Sequence, residues 1–305
     1  RGWLAYDRLR ERRDDLVMVA VTGSPDGTSA VDYTINCAVG YPAITGHPND
    51  RRPVNHSLPA WDLICGQTAA LGILAADRHR SRTGEGQLVG LALADVAMAA
   101  VAWRGELADV EVNGSERDSI GNDLYGAFGR DFVTADDRRV MVVAITPRQW
   151  EGLQVATGTG GAVDELAVEL GLDLTDEGVR FVARDRLGKI FAPWFAERTL
   201  AQVAEGLDAH GACWGPYRTF RQMLDEDPRC STGNPMFAEV DQPGVGVHLV
   251  PGSPLAFGGP EAGERGAVAA PRLGEHTEVV LSVELGLGPA EIGALVDRGA
   301  IALPN

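Results

Sequence analysis

Residues 55–87 read NHSLPAWDLICGQTAALGILAADRHRSRTGEGQ. Within this stretch the run 63–76 is almost wholly apolar and is long enough for a helix of about four turns. Ala, Leu and Ile dominate the run, and Gly66 and Gly72 would allow close packing, which is typical of a buried helix. The stretch therefore predicts a central buried helix that starts near Asp62 and ends in a basic turn.

Two interpretations of Asp62 are open at this point. As an N-cap, its carboxylate would accept a hydrogen bond from a free N–H group of the first turn, because Asp is among the preferred caps. As a catalytic group, the carboxylate would be held beside Trp61 and an apolar wall and would act as a positioned nucleophile. The two roles are compatible, since a capping side chain is fixed in one rotamer.

Composition excludes several classes of function. The formal net charge of −16 argues against a nucleic-acid partner, because proteins that bind nucleic acid are usually basic. The apolar run is too short and too interrupted to cross a bilayer, so no membrane partner is expected. The four cysteines show no CxxC spacing, which favours reduced thiols and a cytoplasmic location. The sequence has no HExxH motif or Cys/His cluster and no GxSxG elbow, so neither a metal site nor a serine hydrolase is expected.

The order of elements predicts an α/β fold. Residues 16–22 are typical of a buried strand, and a helix is predicted over 29–39. The central helix is followed by a second strand at 87–93 and a helix at 94–107, an order that favours a largely parallel sheet. The chain becomes polar at 115–122, where we predict a domain boundary.

Two motifs resemble the signature of the family III CoA-transferases, which also include the α-methylacyl-CoA racemases. The first consists of Asp62, Gly66, the GILAA of residues 72–76, Arg80 and the TGEGQLV of residues 83–89; the second is LGEHT at 273–277. The resemblance implies that Asp62 is catalytic. It also implies a Rossmann-like large domain, whose N-terminal part is expected to be missing here, and a smaller α+β domain.

The same resemblance implies the domain order and the assembly. Residues 1–122 would belong to the large domain, residues 123–235 would form the small domain, and residues 236–305 would return to the large domain. Family members form interlocked homodimers, so a homodimer is expected.

The chemistry that the resemblance implies is covalent. Asp62 would attack a CoA thioester and then carry CoA as an aspartyl-CoA thioester. Backbone N–H groups at the start of the helix would stabilise the oxyanion. CoA would enter as part of an acyl-CoA substrate, and no permanently bound cofactor is expected.

Six further stretches are similar to family members that move CoA between the C1 and C4 carboxyl groups of one dicarboxylic acid, mesaconate: 1–4, 31–34, 53–56, 59–62, 125–132 and 139–143. Within or beside these stretches we expect substrate contacts from Asn55, His56, Trp61 and Tyr125. The other interpretation of His56 is a loop histidine bonded to a backbone carbonyl.

Because CoA is anionic, its binding site needs local positive charge, although the chain as a whole is acidic. Arg80 and Arg82 are the candidate CoA contacts, with solvated surface charge as the alternative.

Three other functions stay open. An intermolecular CoA-transferase would use a second acid as acceptor, and a non-catalytic fragment would keep the fold without turnover. A racemase comes last, because Val31 occupies the position at which the racemases carry a catalytic histidine.

Overall fold

The computed structural model describes residues 2–258 and 266–303. The chain divides into two compact units, Arg1–Tyr217 and Arg218–Asn305. The predicted segments 1–122, 123–235 and 236–305 stay a prediction, and residue 1 of the first segment and residues 259–265 and 304–305 of the last lie outside the described part.

A pair of parallel strands organises the beginning of the first unit. β1 (Met18–Thr22) pairs with β2 (Leu88–Ala92), with Met18 opposite Leu88 and Thr22 opposite Ala92. The helices of this region are α1 (Tyr6–Arg10), α2 (Asp32–Ala38), α3 (Tyr41–Ile44), α4 (Ala60–Thr83), α5 (Leu93–Trp103) and α6 (Glu106–Asn113). The predicted α/β class with a parallel sheet is confirmed.

The turn between α4 and β2 depends on two glycines. Gly84 ends α4 with a φ of 78°, in the left-handed region that glycine adopts without steric cost. At Gly86 the backbone of the neighbouring segment is so close that a Cβ would lie 2.1 Å from the carbonyl oxygen of Leu16. The absence of a side chain at Gly86 therefore lets the chain enter β2 directly beside β1.

The central helix is much less buried than its composition suggests. Within α4, the buried residues are Trp61, Cys65 and Ala76. Five large apolar side chains of the same helix are exposed: Leu63, Ile64, Leu71, Ile73 and Leu74. The prediction of a buried helix was wrong, because α4 packs on one side against α2, α5 and the two strands.

The rest of the first unit is a three-stranded antiparallel sheet covered by helices. β3 (Phe128–Val133) and β4 (Arg139–Ala144) form a hairpin, and β5 (Cys213–Pro216) pairs with β4. The helices are α7 (Pro147–Thr157), α8 (Gly160–Leu170), α9 (Glu177–Val182), α10 (Arg184–Ala196) and α11 (Leu200–Ala209). Thr146 caps α7 by accepting the N–H of Gln149, and Pro147 takes the first helical position, where its missing N–H costs nothing.

The first unit contains two separate apolar cores among the described residues. The smaller core joins Ile35 of α2, Trp61 and Cys65 of α4, and Leu93, Ala94, Val96 and Ala97 of α5. The larger core lies under the three-stranded sheet and includes Phe128, Leu153, Phe191 and Phe195. Asp62 is therefore carried by the element that anchors the smaller core.

The second unit is built from α12 (Phe220–Glu226), the antiparallel strands β6 (Phe237–Gln242) and β7 (Gly246–Pro251), and helices near the C-terminus. After the LGEHT motif the chain forms α13 (Thr277–Val279), a π-helical turn (Val280–Glu284) and α14 (Pro289–Asp297). Over residues 2–258 and 266–303, none of the helices combines the length and apolar character that crossing a bilayer requires.

Candidate active site

Asp62 lies in the first turn of α4 and is not its N-cap. The helix begins at Ala60, the cap position is Pro59, and no side chain of the cap forms a hydrogen bond. Asp62 therefore occupies the third helical position. The N-cap interpretation was wrong because the helix starts two residues before the carboxylate.

The cap of α4 comes instead from another helix. Oδ2 of Asp32, in the first turn of α2, accepts the backbone N–H of Trp61 at 2.7 Å and that of Asp62 at 3.2 Å. The N–H groups of Ala60 and Leu63 donate to the carbonyl oxygens of Leu58 and Pro59. The bond from Leu63 to Pro59 is the first of the helix's own ladder, and Pro59 has no N–H, so the three N–H groups that this helix start leaves without helical partners, those of Ala60, Trp61 and Asp62, are all engaged. The expectation that they stabilise a substrate oxyanion was wrong.

Three residues predicted as substrate contacts are gathered around α2. Nε2 of His56 lies 2.9 Å from Oδ1 of Asp32. Asn36 accepts a hydrogen bond from the indole N–H of Trp61 at 3.1 Å and donates to the side-chain oxygen of Asn55 at 2.8 Å. The structure therefore brings Asn55, His56 and Trp61 together around α2, and none of the three is among the residues that line the cavity at Asp62. His56 has a carboxylate partner, not the backbone carbonyl of the alternative interpretation.

A cavity of about 400 Å³ opens beside the Asp62 side chain. Its wall is formed by the end of β1 and the residue after it, by the residue that follows β2, and by one face of α4; the lining residues include Thr22, Gly23, Asp62, Gly66, Ala69 and Leu93. Ligands of open α/β sheets usually bind at this carboxyl end of parallel strands. The carboxylate is exposed and lines a cavity at the position where a substrate is expected.

Larger cavities exist in the first unit, and one of them is lined by an ion-paired cluster. One of about 710 Å³ is lined by Asp123, Arg130 and Arg184. Arg130 donates to Asp123 at 2.6 Å and to Asp185 at 2.6 Å, and Arg184 also donates to Asp123. Cavity volume alone therefore does not single out a site, and the smaller cavity is of interest because Asp62 of the first motif lines it.

Cys65 shares the cavity with Asp62, one helical turn further along α4. Burial raises the pKa of its thiol above the ordinary value, and the negative charge of Asp62 raises it further. The thiol is therefore kept protonated at neutral pH, and a protonated thiol is a poor nucleophile.

Tyr125 is placed away from this cavity. Its ring contacts Phe181, with centroids 5.1 Å apart, and the guanidinium carbon of Arg117 lies 4.0 Å from its centroid. It is not among the residues that line the cavity of Asp62. Its role as a substrate contact stays a prediction.

Arg80 and Arg82 lie in the last turn of α4. At 1.5 Å per residue, Arg80 is about 27 Å along the helix axis from Asp62, and Arg82 is about 30 Å away. Arg80 forms an ion pair with Asp77 and lies 3.9 Å from a carboxylate oxygen of Asp15. Arg82 is exposed. Their role in binding CoA also stays a prediction.

Sequence reasoning missed the roles of Asp32 and Asn36. Both are nearly inaccessible, with 1% and 2% exposure. One signal was present: Pro59 precedes the helix, and proline has no side-chain acceptor that can cap the first turn. A helix start of this kind needs an acceptor from elsewhere in the chain, and a carboxylate on a neighbouring helix supplies it.

No group of three or more His, Cys, Asp or Glu side chains is arranged to hold a metal ion within the described ranges.

With this geometry established, comparison with known proteins identifies the class. The family model described as CoA-transferase family III matches residues 1–277. The chain belongs to CoA-transferase family III, a family of enzymes with the mixed helix and sheet architecture described above.

Two relatives show how close the similarity is. The chain is 51% identical to a 2-methylfumaryl-CoA isomerase from Chloroflexus aurantiacus, over 100% of this chain and 74% of that protein. It is 30% identical to a succinyl-CoA:mesaconate CoA-transferase from Haloarcula hispanica, over 93% of this chain and 70% of that protein.

Among solved structures, a CaiB/BaiF family protein from Brucella suis has the same fold. The TM-score is 0.70 at 20% identity, and the match covers 92% of this chain and 70% of that one.

Proposed function

We propose that the protein transfers CoA between the C1 and C4 carboxyl groups of mesaconate, which isomerises 2-methylfumaryl-CoA. The observation that carries this proposal is the 51% identity, along the whole chain, to a protein named for that isomerisation. The placement of Asp62 on a cavity beside the parallel strands supports it.

Asp62 is the proposed nucleophile. It is the one carboxylate among the described residues that line the cavity, and the remaining lining is small or apolar: Val21, Thr22, Gly23, Ala30, Cys65, Gly66, Ala69 and Leu93. Such walls leave room for a slender acyl thioester and offer no second carboxylate to compete for it. Fixing the reacting groups in this way converts a bimolecular step into an effectively unimolecular one.

The proposed reaction begins when a carboxylate oxygen of Asp62 attacks the thioester carbonyl carbon of the substrate. A C–O bond forms, the C–S bond breaks, and CoA leaves as the thiolate, which gives a mixed anhydride. The thiolate then attacks the Asp62 carbonyl carbon, and the substrate carboxylate leaves. The product of this half-reaction is an aspartyl-CoA thioester and free mesaconate.

The second half repeats these steps in reverse. The other carboxylate of mesaconate attacks the aspartyl-CoA thioester and releases the thiolate. The thiolate attacks the acyl carbon that came from mesaconate and regenerates the Asp62 carboxylate. No oxidant and no net proton transfer are needed, so the residues of the cavity and the substrate suffice for the bond changes.

The remaining site residues are proposed in supporting roles. Asn55, His56 and Trp61, which are gathered around α2, are proposed as contacts of the dicarboxylate, as is Tyr125, which is not among the residues that line the cavity of Asp62. Arg80 and Arg82 would attract the phosphates of CoA from the far end of α4. We also propose a homodimer, which sedimentation equilibrium would test.

An intermolecular CoA-transferase is the second candidate. The specific observation in its favour is the 30% identity to a succinyl-CoA:mesaconate CoA-transferase. The two candidates differ in their need for a second acid. An isomerase converts 2-methylfumaryl-CoA to its isomer without added acid, whereas the intermolecular enzyme requires a free acceptor.

The test combines turnover with covalent trapping. The protein is incubated with 2-methylfumaryl-CoA, without and with free succinate, and the CoA esters are separated by chromatography. Hydroxylamine is added to a second aliquot of the incubation to trap an activated Asp62. The peptide that contains Asp62 is then analysed by mass spectrometry. Isomerisation without added acid and a modified Asp62 are expected.

A matched variant completes the test. Asp62→Asn keeps the size of the side chain and removes the nucleophile, so turnover should fall by about a thousandfold or more. Absence of turnover in the unmodified protein would favour a non-catalytic role, and substantial turnover by Asp62→Asn would exclude Asp62 as the nucleophile.

A further inference from the structure

Two carboxylates meet at the start of α4, and the mechanism above uses one of them. Asp32 belongs to the first turn of α2 and is 1% exposed. Both of its oxygens are engaged by the segment that presents the nucleophile: Oδ2 by the N–H groups of Trp61 and Asp62, and Oδ1 by His56. Burying a carboxylate is costly unless such partners compensate it.

We infer that Asp32 is a positioning residue for Asp62, an inference that rests on the proposed role of Asp62 as nucleophile. The hydrogen bond at 3.2 Å holds the backbone of Asp62 itself, and the bond at 2.7 Å holds the residue before it. Because Pro59 supplies no side-chain cap, the first turn of α4 would fray without Asp32. A frayed turn would swing the carboxylate away from the cavity.

α2 fixes the same turn at a second point. The indole of Trp61 donates to Asn36, one turn after Asp32 on the same helix. The nucleophile is thus aligned by a neighbouring helix, and its alignment depends on α2 and α4 staying docked. In reactions of this type, a displacement of about 1 Å costs about a hundredfold in rate.

A matched control exists elsewhere in the first unit. Asp176 caps α9 by accepting the N–H of Val179 at 2.9 Å. It is a carboxylate cap of the same chemical kind, and it does not line the cavity of Asp62. Removing it tests the loss of a helix cap in general, whereas removing Asp32 tests the loss of the cap that holds the nucleophile.

The first experiment compares Asp32→Ala, Asp32→Asn and Asp176→Ala in the full chain with 2-methylfumaryl-CoA. Asp32→Ala should lower kcat by about tenfold to a hundredfold, with KM changed by less than about twofold, because positioning is lost and binding surfaces remain. Asp32→Asn keeps an oxygen that accepts the two N–H groups. The decrease in log kcat should therefore be about half of that in Asp32→Ala. Asp176→Ala should leave kcat unchanged.

The second experiment does not depend on turnover. Hydrogen exchange is followed by mass spectrometry on the peptide that contains Trp61 and Asp62. Asp32→Ala should speed the exchange of these amides by about fivefold, the factor expected for loss of a cap, and Asp176→Ala should not.

Several outcomes would overturn the inference: unchanged kcat in Asp32→Ala, unchanged exchange at Trp61 and Asp62, or an equal loss of kcat in Asp176→Ala. If circular dichroism shows that Asp32→Ala does not fold, the test rests on Asp32→Asn. In that case, a wild-type kcat together with wild-type exchange at Trp61 and Asp62 in Asp32→Asn overturns the inference. Turnover by Asp62→Asn is a separate result: it would remove the nucleophile role and thereby the proposed function.

Discussion

Asp62 and Cys65 lie one turn apart on α4 and line the same cavity, yet they differ in their exposure to solvent. The carboxylate is exposed, whereas the thiol is buried. Burial raises the pKa of Cys65, and the charge of Asp62 adds to the effect. Of the two potential nucleophiles, Cys65 is intrinsically the more reactive, and its environment keeps it in the unreactive thiol form.

The first prediction concerns the reactivity of this thiol. Because its pKa is raised, Cys65 should alkylate with iodoacetamide much more slowly than the exposed Cys37 and Cys213 at neutral pH, and the rate should rise only above about pH 9. Peptide mapping at several pH values measures this directly. Alkylation of Cys65 at pH 7 as fast as that of Cys37 would contradict it.

The same shift predicts a stability effect with a definite sign. A group whose pKa is raised on folding holds its proton more firmly in the folded state, so its contribution is complete below the ordinary pKa of 9.0 and is lost as the pH rises beyond it. Cys65→Ala should therefore lose less stability between neutral and alkaline pH than the parent protein in urea titrations. Cys37→Ala, which removes an exposed thiol, is the control.

A further prediction concerns the cavity wall at Gly66. A Cβ added at Gly66 meets no atom within 4 Å, and the residue lines the cavity of Asp62. Gly66→Ala should raise the free energy of unfolding by up to about 1 kcal/mol, because alanine favours a helix interior over glycine. Gly66→Leu should fold but raise KM for the thioester by about tenfold, since the side chain enters the cavity.

The control for Gly66→Leu is Gly293→Leu in α14. Gly293 also has open space around its Cβ position and lies in the second unit. It should leave KM unchanged. Equal effects at the two positions would show that the cavity beside Asp62 does not hold the substrate.

Gly86 and Gly84 provide a paired test of the turn before β2. Gly86→Ala places a Cβ 2.1 Å from the carbonyl oxygen of Leu16, so the strands must separate, at a cost of about 3 kcal/mol. Gly84→Ala meets no atom within 4 Å but keeps a positive φ, which costs about 1–2 kcal/mol. Urea unfolding of the two variants measures the difference. A smaller loss at Gly86 than at Gly84 would refute this explanation of the motif.

The last prediction tests the proposed contact between CoA and the end of α4. Arg82→Ala should raise KM for the CoA thioester several-fold and leave kcat unchanged, because the charge binds the ligand away from the reacting carbon. The difference should shrink at high salt, which screens exposed charges. Arg221→Ala, which removes an exposed arginine of α12 in the second unit, should have no such effect.

Much of the fold was predictable because local patterns decide it. The apolar run of β1, the hairpin of β3 and β4, and the Pro147 helix start all follow from signals within a few residues. The identity of Asp62 as the candidate nucleophile came from a motif, not from a local rule.

Two predictions failed because they depend on which elements touch. The composition of α4 does not show which of its faces are covered, so the exposure of Leu71 and Leu74 was missed. The cap of α4 comes from Asp32, 30 residues before Asp62, a separation at which no helix-start rule operates. Both errors are tertiary effects that override local preference.

The contacts between α2 and the first turn of α4 also predict which is lost first on unfolding, activity or secondary structure. Among the described residues, the core that anchors the start of α4 joins seven buried residues, whereas the core under the three-stranded sheet joins seventeen. Regions with fewer buried apolar contacts open first. Turnover should thus be lost at a lower denaturant concentration than most of the secondary structure. Loss of turnover would then measure the separation of α2 from α4 and not global unfolding.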